Sequence, residues 1–145
     1  MASTSTVVRK YHANYLASNE YFAIALDHVP LLTDSGNYLW WKLHVSYALK
    51  AAGYWGHVDG SDSLLAIYPK ISQPPAPTNN SSKEEIERYR EWRRHDDRCI
   101  SLLIRRMTHK VFRSLSIYGF ESDITSRRIW KSIIQKFERD ISRMH

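Results

Sequence analysis

The strongest constraint on this chain begins at Ser82-Lys83-Glu84-Glu85. Ser-x-x-Glu is a capping box, whose two side chains satisfy backbone N–H groups that a helix start leaves without partners. Behind it Ile86, Tyr89, Trp92, Asp96, Cys99, Ile100, Leu103, Ile104 and Met107 fall along one stripe, about six turns at roughly 3.6 residues each. Two further segments share that period. After the turn-forming run Thr33-Asp34-Ser35-Gly36-Asn37, a helix would place Tyr38, Trp41, Val45, Ala48, Leu49 and Ala52 on one face, with Gly53 as its left-handed stop. A last helix from about Thr125 would present Ile129, Trp130, Ile133, Ile134, Phe137 and Ile141. Between the last two, Thr108 can cap a shorter helix holding Val111, Phe112 and Leu115, with Gly119 to end it. No segment alternates as a strand would. The expected fold is all-α, a compact bundle of about five helices.

Pro69, Pro74, Pro75 and Pro77, followed by Thr78-Asn79-Asn80-Ser81-Ser82, cannot continue a helix, so 69–82 is expected to be a long solvated loop. The roughly 60 residues on either side would be marginal alone, which places the loop inside one domain. That domain is expected over 32–145, with no separate second lobe. Residues 1–31 read as an N-terminal arm or short helix, since Val8, Tyr11, Tyr15, Leu16, Phe22, Ile24 and Leu26 show no clean period, and the polar stretch 1–8 as disordered.

Of 145 residues, 21 are Lys or Arg and 15 Asp or Glu, a net charge of +6. The excess is not spread evenly. Residues 1–82 hold five basic and five acidic side chains, residues 83–145 hold 16 and 10, and 12 of those 16 are Arg. A basic, aromatic half of this kind suits RNA or an acidic protein surface. The single Cys excludes a disulfide framework and favours a reducing compartment. No apolar run is long enough to cross a membrane. Met1-Ala2-Ser3-Thr4-Ser5-Thr6 is no secretory leader, and Ala2 stands where myristoylation needs glycine. A cytoplasmic location follows as the expectation. The seven His are scattered, no Cys/His set has metal-ligand spacing, and neither a phosphate-binding glycine loop nor a Gly-x-Ser-x-Gly turn occurs. No enzymatic activity, metal, cofactor, membrane or small-molecule substrate is expected.

Three stretches, in order, resemble the Gag domain of copia-type LTR retrotransposons. The first is Leu32 to Leu43, with Asn37-Tyr38 and Trp41, followed by Gly53-Tyr54-Trp55-Gly56-His57-Val58-Asp59-Gly60. The second is Trp92-x-x-x-Asp96 with Ile100 and Ile104; the third is Thr125 with Trp130 and Phe137, similar to the family's Thr-Ala-x-x-x-Trp-x-x-Leu-x-x-x-Phe. Ser126 departs from the usual Ala, and Ile133 from the usual Leu. The later helices and the Cys-x2-Cys-x4-His-x4-Cys zinc knuckle of a full Gag are not in these residues. The resemblance implies an N-terminal capsid lobe, from a longer Gag or a truncated or domesticated one, that associates with copies of itself into particles. RNA is the other partner it suggests, in an RNA-binding or assembly-interfering module.

Asn37, Tyr38, Trp41, Trp92, Asp96, Trp130 and Phe137 form the core motif, and buried aromatics at helical spacing read as packing before they read as base-stacking platforms. Asp96, on an apolar stripe, must find donors: backbone N–H groups at another helix start, such as near Asn37, or an Arg. Trp40 falls off its helix's stripe and Trp55 follows a helix stop, so both are expected in an exposed self-association patch. Arg88, Arg90, Arg93, Arg94, Arg98, Arg105 and Arg106 decorate the long helix. They form either a solvated face laced with ion pairs to Glu84, Glu87, Glu91 and Asp97, or an RNA-binding face.

Overall fold

The computed structural model describes residues 29–59, 70–115, 117 and 124–143. Among them are five helices: α1 (Tyr38–Ala52), α2 (Trp55–Val58), α3 (Lys83–Arg105), α4 (His109–Ser114) and α5 (Ser126–Arg143). The described residues hold no strand, only an isolated parallel bridge between Leu32 and Met107. The all-α expectation is met. The expected arm and disorder at 1–28, Pro69 of the expected loop and Gly119 lie outside the described residues.

Helix α1 buries the six residues expected of it, Tyr38, Trp41, Val45, Ala48, Leu49 and Ala52. Asn37 does not cap its N–H groups. Instead its Oδ1 accepts from Thr33 N at 3.1 Å and its Nδ2 donates to Leu31 O at 2.7 Å, fastening the turn that leads into the helix. At the other end Gly53 adopts φ 80°, with Gly53 N on Lys50 O and Tyr54 N on Leu49 O. That pair of bonds is a Schellman motif, which reverses the chain at once. The reversal starts α2, four buried residues that carry no periodic signature.

Helix α3 starts at Ser82, whose Oγ accepts from Glu85 N at 3.1 Å and donates to Glu85 Oε1 at 3.2 Å. Its inner stripe is shorter than its period suggests. Nothing before Trp92 is buried, and the inward residues are Trp92, Asp96, Cys99, Leu102 and Leu103. Ile104, expected inside, is 38 % exposed, because the stripe turns toward Leu102 where the helix meets the 29–32 segment. There Leu32 N donates to Arg106 O and Thr108 N to Leu32 O. Thr108 caps α4 through Val111 N at 3.3 Å. Helix α4 ends at Ser114 rather than running to Gly119, and Leu115 and Ile117 turn into the core.

Helix α5 starts under Thr125, whose Oγ1 accepts from Arg128 N at 3.2 Å. It buries Ile129, Trp130, Ile133 and Phe137. These meet α1 and α2 through rings: Tyr38 stacks on Phe137 at 5.1 Å, Trp41 on Trp130 at 6.0 Å, and Trp55 meets Trp130 edge-on at 5.6 Å. Helices from both sides of the proline-rich connection thus share one core. The described part of that connection, 70–82, has no helix, and Ile71 ties it down: its N donates to Gly56 O at 3.0 Å and its carbonyl accepts from Arg127 at 3.2 Å.

Candidate functional site

The motif residues divide into an interior node and an outward face. At the node, Asp96 is fully buried and accepts from Ser126 N at 3.2 Å and from the Ser126 hydroxyl at 2.5 Å. The donors are those of a helix start, as the sequence required, but the helix is α5 and not the one behind Asn37. A carboxylate at a helix N-terminus also meets the positive end of the helix dipole. Ser126, where the Gag motif that this stretch resembles has Ala, supplies the second donor, so the hydroxyl has a structural use here. His57 was not singled out from the sequence. It is 3 % exposed, with Nδ1 3.5 Å from Asp96 Oδ1, inside ion-pair range but off the hydrogen-bond line. Its ring stacks on Trp92 at 5.9 Å and faces His95 at 6.0 Å. Burial, then the neighbouring His57, lowers the pKa of His95 below the usual histidine value; Glu91 opposes the shift and Arg94 adds to it.

Asp, His and Ser side chains here stand in the wrong order for acyl transfer. A nucleophilic serine gives its proton to a histidine that a carboxylate orients. Ser126 donates to the carboxylate itself, and what that contact does is hold α5 against α3. Next to it Cys99 is fully buried, and burial together with the Asp96 charge pushes its thiol pKa far up. Tyr38 reaches Glu138 at 3.4 Å, and its phenol pKa is raised by burial and by that carboxylate. Trp41 Nε1 donates to Arg106 O at 2.7 Å, closing the C-terminal end of α3.

The long helix does not present its seven arginines together. Arg93 bonds Ile124 O at 3.3 Å and Asp97 at 3.1 Å, and Arg106 bonds Val29 O at 3.0 Å, so both join segments of the fold. Arg90, Arg94, Arg98 and Arg105 fall on the outward side by helical spacing, with Arg94 paired to Glu87 at 2.9 Å. Arg88 is exposed apart from them.

The two outward tryptophan expectations separate. Trp40 is 61 % exposed, as expected. Trp55 is 6 % exposed, a correction: the Schellman turn folds it back onto Trp130, and Lys50 covers its ring at 4.8 Å. In its place the structure exposes Leu39, Leu43 and Tyr47, on the same side of α1 as Trp40. Their i, i+4, i+8 spacing was visible in the sequence as a second apolar stripe, hidden by the stronger inner one. A groove of about 380 Å³ runs beside them, lined by Lys42, Lys50 and Asp59 among others.

No protein-family model matches the chain, and no curated protein or solved structure matches it either. The Gag resemblance stands on the motif residues themselves.

Proposed function

We propose that this chain is a capsid-like structural lobe of the Gag type, which works by associating with copies of itself. One observation carries this reading: residues of the three motif stretches, far apart in sequence, touch one another. Trp41 meets Trp130, Tyr38 meets Phe137, and Asp96 caps the helix that Thr125 and Ser126 begin. Motif residues that make one another's environment support a shared fold. The outward apolar residues of α1 support association as the use of that fold. Shells need only modest contacts, because repetition supplies avidity. Static light scattering and negative-stain microscopy of the purified chain test it. Mass rising with concentration, with particles at the upper end, is expected; a strict monomer without particles overturns it.

Arg90, Arg94, Arg98 and Arg105 on the outward side of α3 favour a second reading, an RNA-binding module. It predicts gel-shift affinity for single-stranded RNA that falls steeply with salt. Arg98→Glu with Arg105→Glu should shallow that slope by about one unit per lost phosphate contact. Absence of binding at low salt removes this reading.

A further inference from the structure

Helix α1 is apolar on both sides. Its inner stripe fills the core, and its outer stripe exposes Leu39 (62 %), Trp40 (61 %), Leu43 (48 %) and Tyr47 (65 %). An all-round apolar helix belongs in an interior. None of the helices is long and apolar enough to cross a membrane among the described residues. The four side chains expose on the order of 500 Å², taking about 150–250 Å² for each aromatic ring when fully exposed. A standard protein interface needs roughly 800 Å² per partner. The patch is therefore large enough to be the apolar centre of one, with Lys42, Ser46 and Lys50 as polar neighbours beside it.

The pattern is also symmetric. Leu39 and Tyr47 lie four residues to either side of Leu43, so a copy rotated by two-fold symmetry about Leu43 meets a matching row. A two-fold axis through Leu43 runs the two helices antiparallel, which also aligns their dipoles favourably.

We propose that α1 is one half of a two-fold interface whose occupant is a second copy of this chain, its α1 running antiparallel with Leu43 against Leu43 at the axis. Trp40 of each copy then lies beside Tyr47 of the other. The proposal rests on the self-association reading and names the surface that carries it.

Sedimentation equilibrium of the full chain up to about 1 mM tests it, a concentration at which even weak pairing is populated. The unaltered chain is expected to dimerise. Leu43→Arg sets two like charges on the axis and should weaken the dimer at least roughly thirtyfold, the effect of losing a central anchor, with an unchanged melting curve at concentrations that keep both chains monomeric. Leu43→Cys supplies a readout independent of that destabilising change: mild oxidation should give a covalent dimer, while the unaltered chain, with its only thiol buried at Cys99, should give none. A strict monomer, or a dimer indifferent to Leu43→Arg, overturns the proposal. Particles that persist in Leu43→Arg overturn this surface and leave the capsid reading standing. A Leu43-dependent dimer that never grows into particles upholds the surface and removes the capsid reading.

Discussion

Helices α1 and α5 line the same core, yet they face solvent differently. Outside its buried stripe α5 shows Lys131, Gln135, Glu138, Arg139 and Ser142; α1 shows Leu39, Trp40, Leu43 and Tyr47. The pattern of α5 is accounted for by folding alone: one side packs, the other is hydrated. Folding uses only half of the apolar surface in α1. What folding leaves over is the surface on which the proposed association rests, and the contrast between the two helices singles it out more sharply than total charge or aromatic content could.

The largest effect should come from the side on which the two helices agree. Trp130 is 1 % exposed and sits against both Trp41 and Trp55. Trp130→Ala removes a buried indole and should cost about 3–5 kcal/mol in urea denaturation, close to the whole stability of a small domain. A loss below about 1 kcal/mol would mean that the core is not centred on this contact. Asp96→Ala comes next. It strands the Ser126 N–H and hydroxyl in the interior, at a cost of about 1–3 kcal/mol. Ser126→Ala should cost less, about 1 kcal/mol, since the backbone donor survives. Because both residues belong to one contact, their effects should fall short of adding in a double-mutant cycle. Additive losses would show that the carboxylate finds its donors elsewhere.

These two sites also show what the sequence could and could not disclose. The inner face of α1, the capping box at Ser82, the Thr108 and Thr125 caps and the stripe of α5 are local patterns, and each was legible because its cause lies within a turn or two of chain. Asp96 was legible in part. Its burial followed from its place on an apolar stripe, and the kind of donor followed from the need to satisfy a charge. Which helix supplied the donors depended on tertiary packing. Trp55 and His57 were misread or missed for the same reason: a four-residue helix has no period, and its burial is decided by a reversal at Gly53 followed by contact with α3 and α5. The outer stripe of α1 was legible in principle, but two apolar stripes on one short helix are hard to tell apart without knowing which of them the core takes.

Titration gives a smaller effect that separates the interior from its margin. The pKa of His95 is lowered in the folded chain, so the folded state binds its proton less tightly than the unfolded state. Stability from this source is complete above the ordinary histidine value of about 6.5 and is lost as pH falls through the lower folded value. His95 is only half-buried, so the contribution is modest. The melting temperature should drop between about pH 7 and pH 5, and His95→Gln should make that drop shallower. An unaltered pH profile in His95→Gln would assign the acid sensitivity to other groups.

The smallest effect on stability should come from the residue that looks most like a core residue. Trp40 and Trp41 are adjacent and identical in type, but Trp41 is fully buried and Trp40 is 61 % exposed, touching His44 edge-on at 4.5 Å. At protein concentrations low enough to keep the chain monomeric, Trp41→Ala should cost about 3–5 kcal/mol. Trp40→Ala should stay within about 0.5 kcal/mol of the unaltered chain, because it leaves no cavity and strands no donor. The two indoles can be compared directly: acrylamide should quench the Trp40 fluorescence in the folded chain and spare that of Trp41. A large stability loss in Trp40→Ala would mean that the outer stripe of α1 is held by this chain's own fold, and α1 would then be like α5 after all. Little change in stability together with weakened association would show that the two neighbouring tryptophans serve different ends, one folding the chain and the other joining it to its copy.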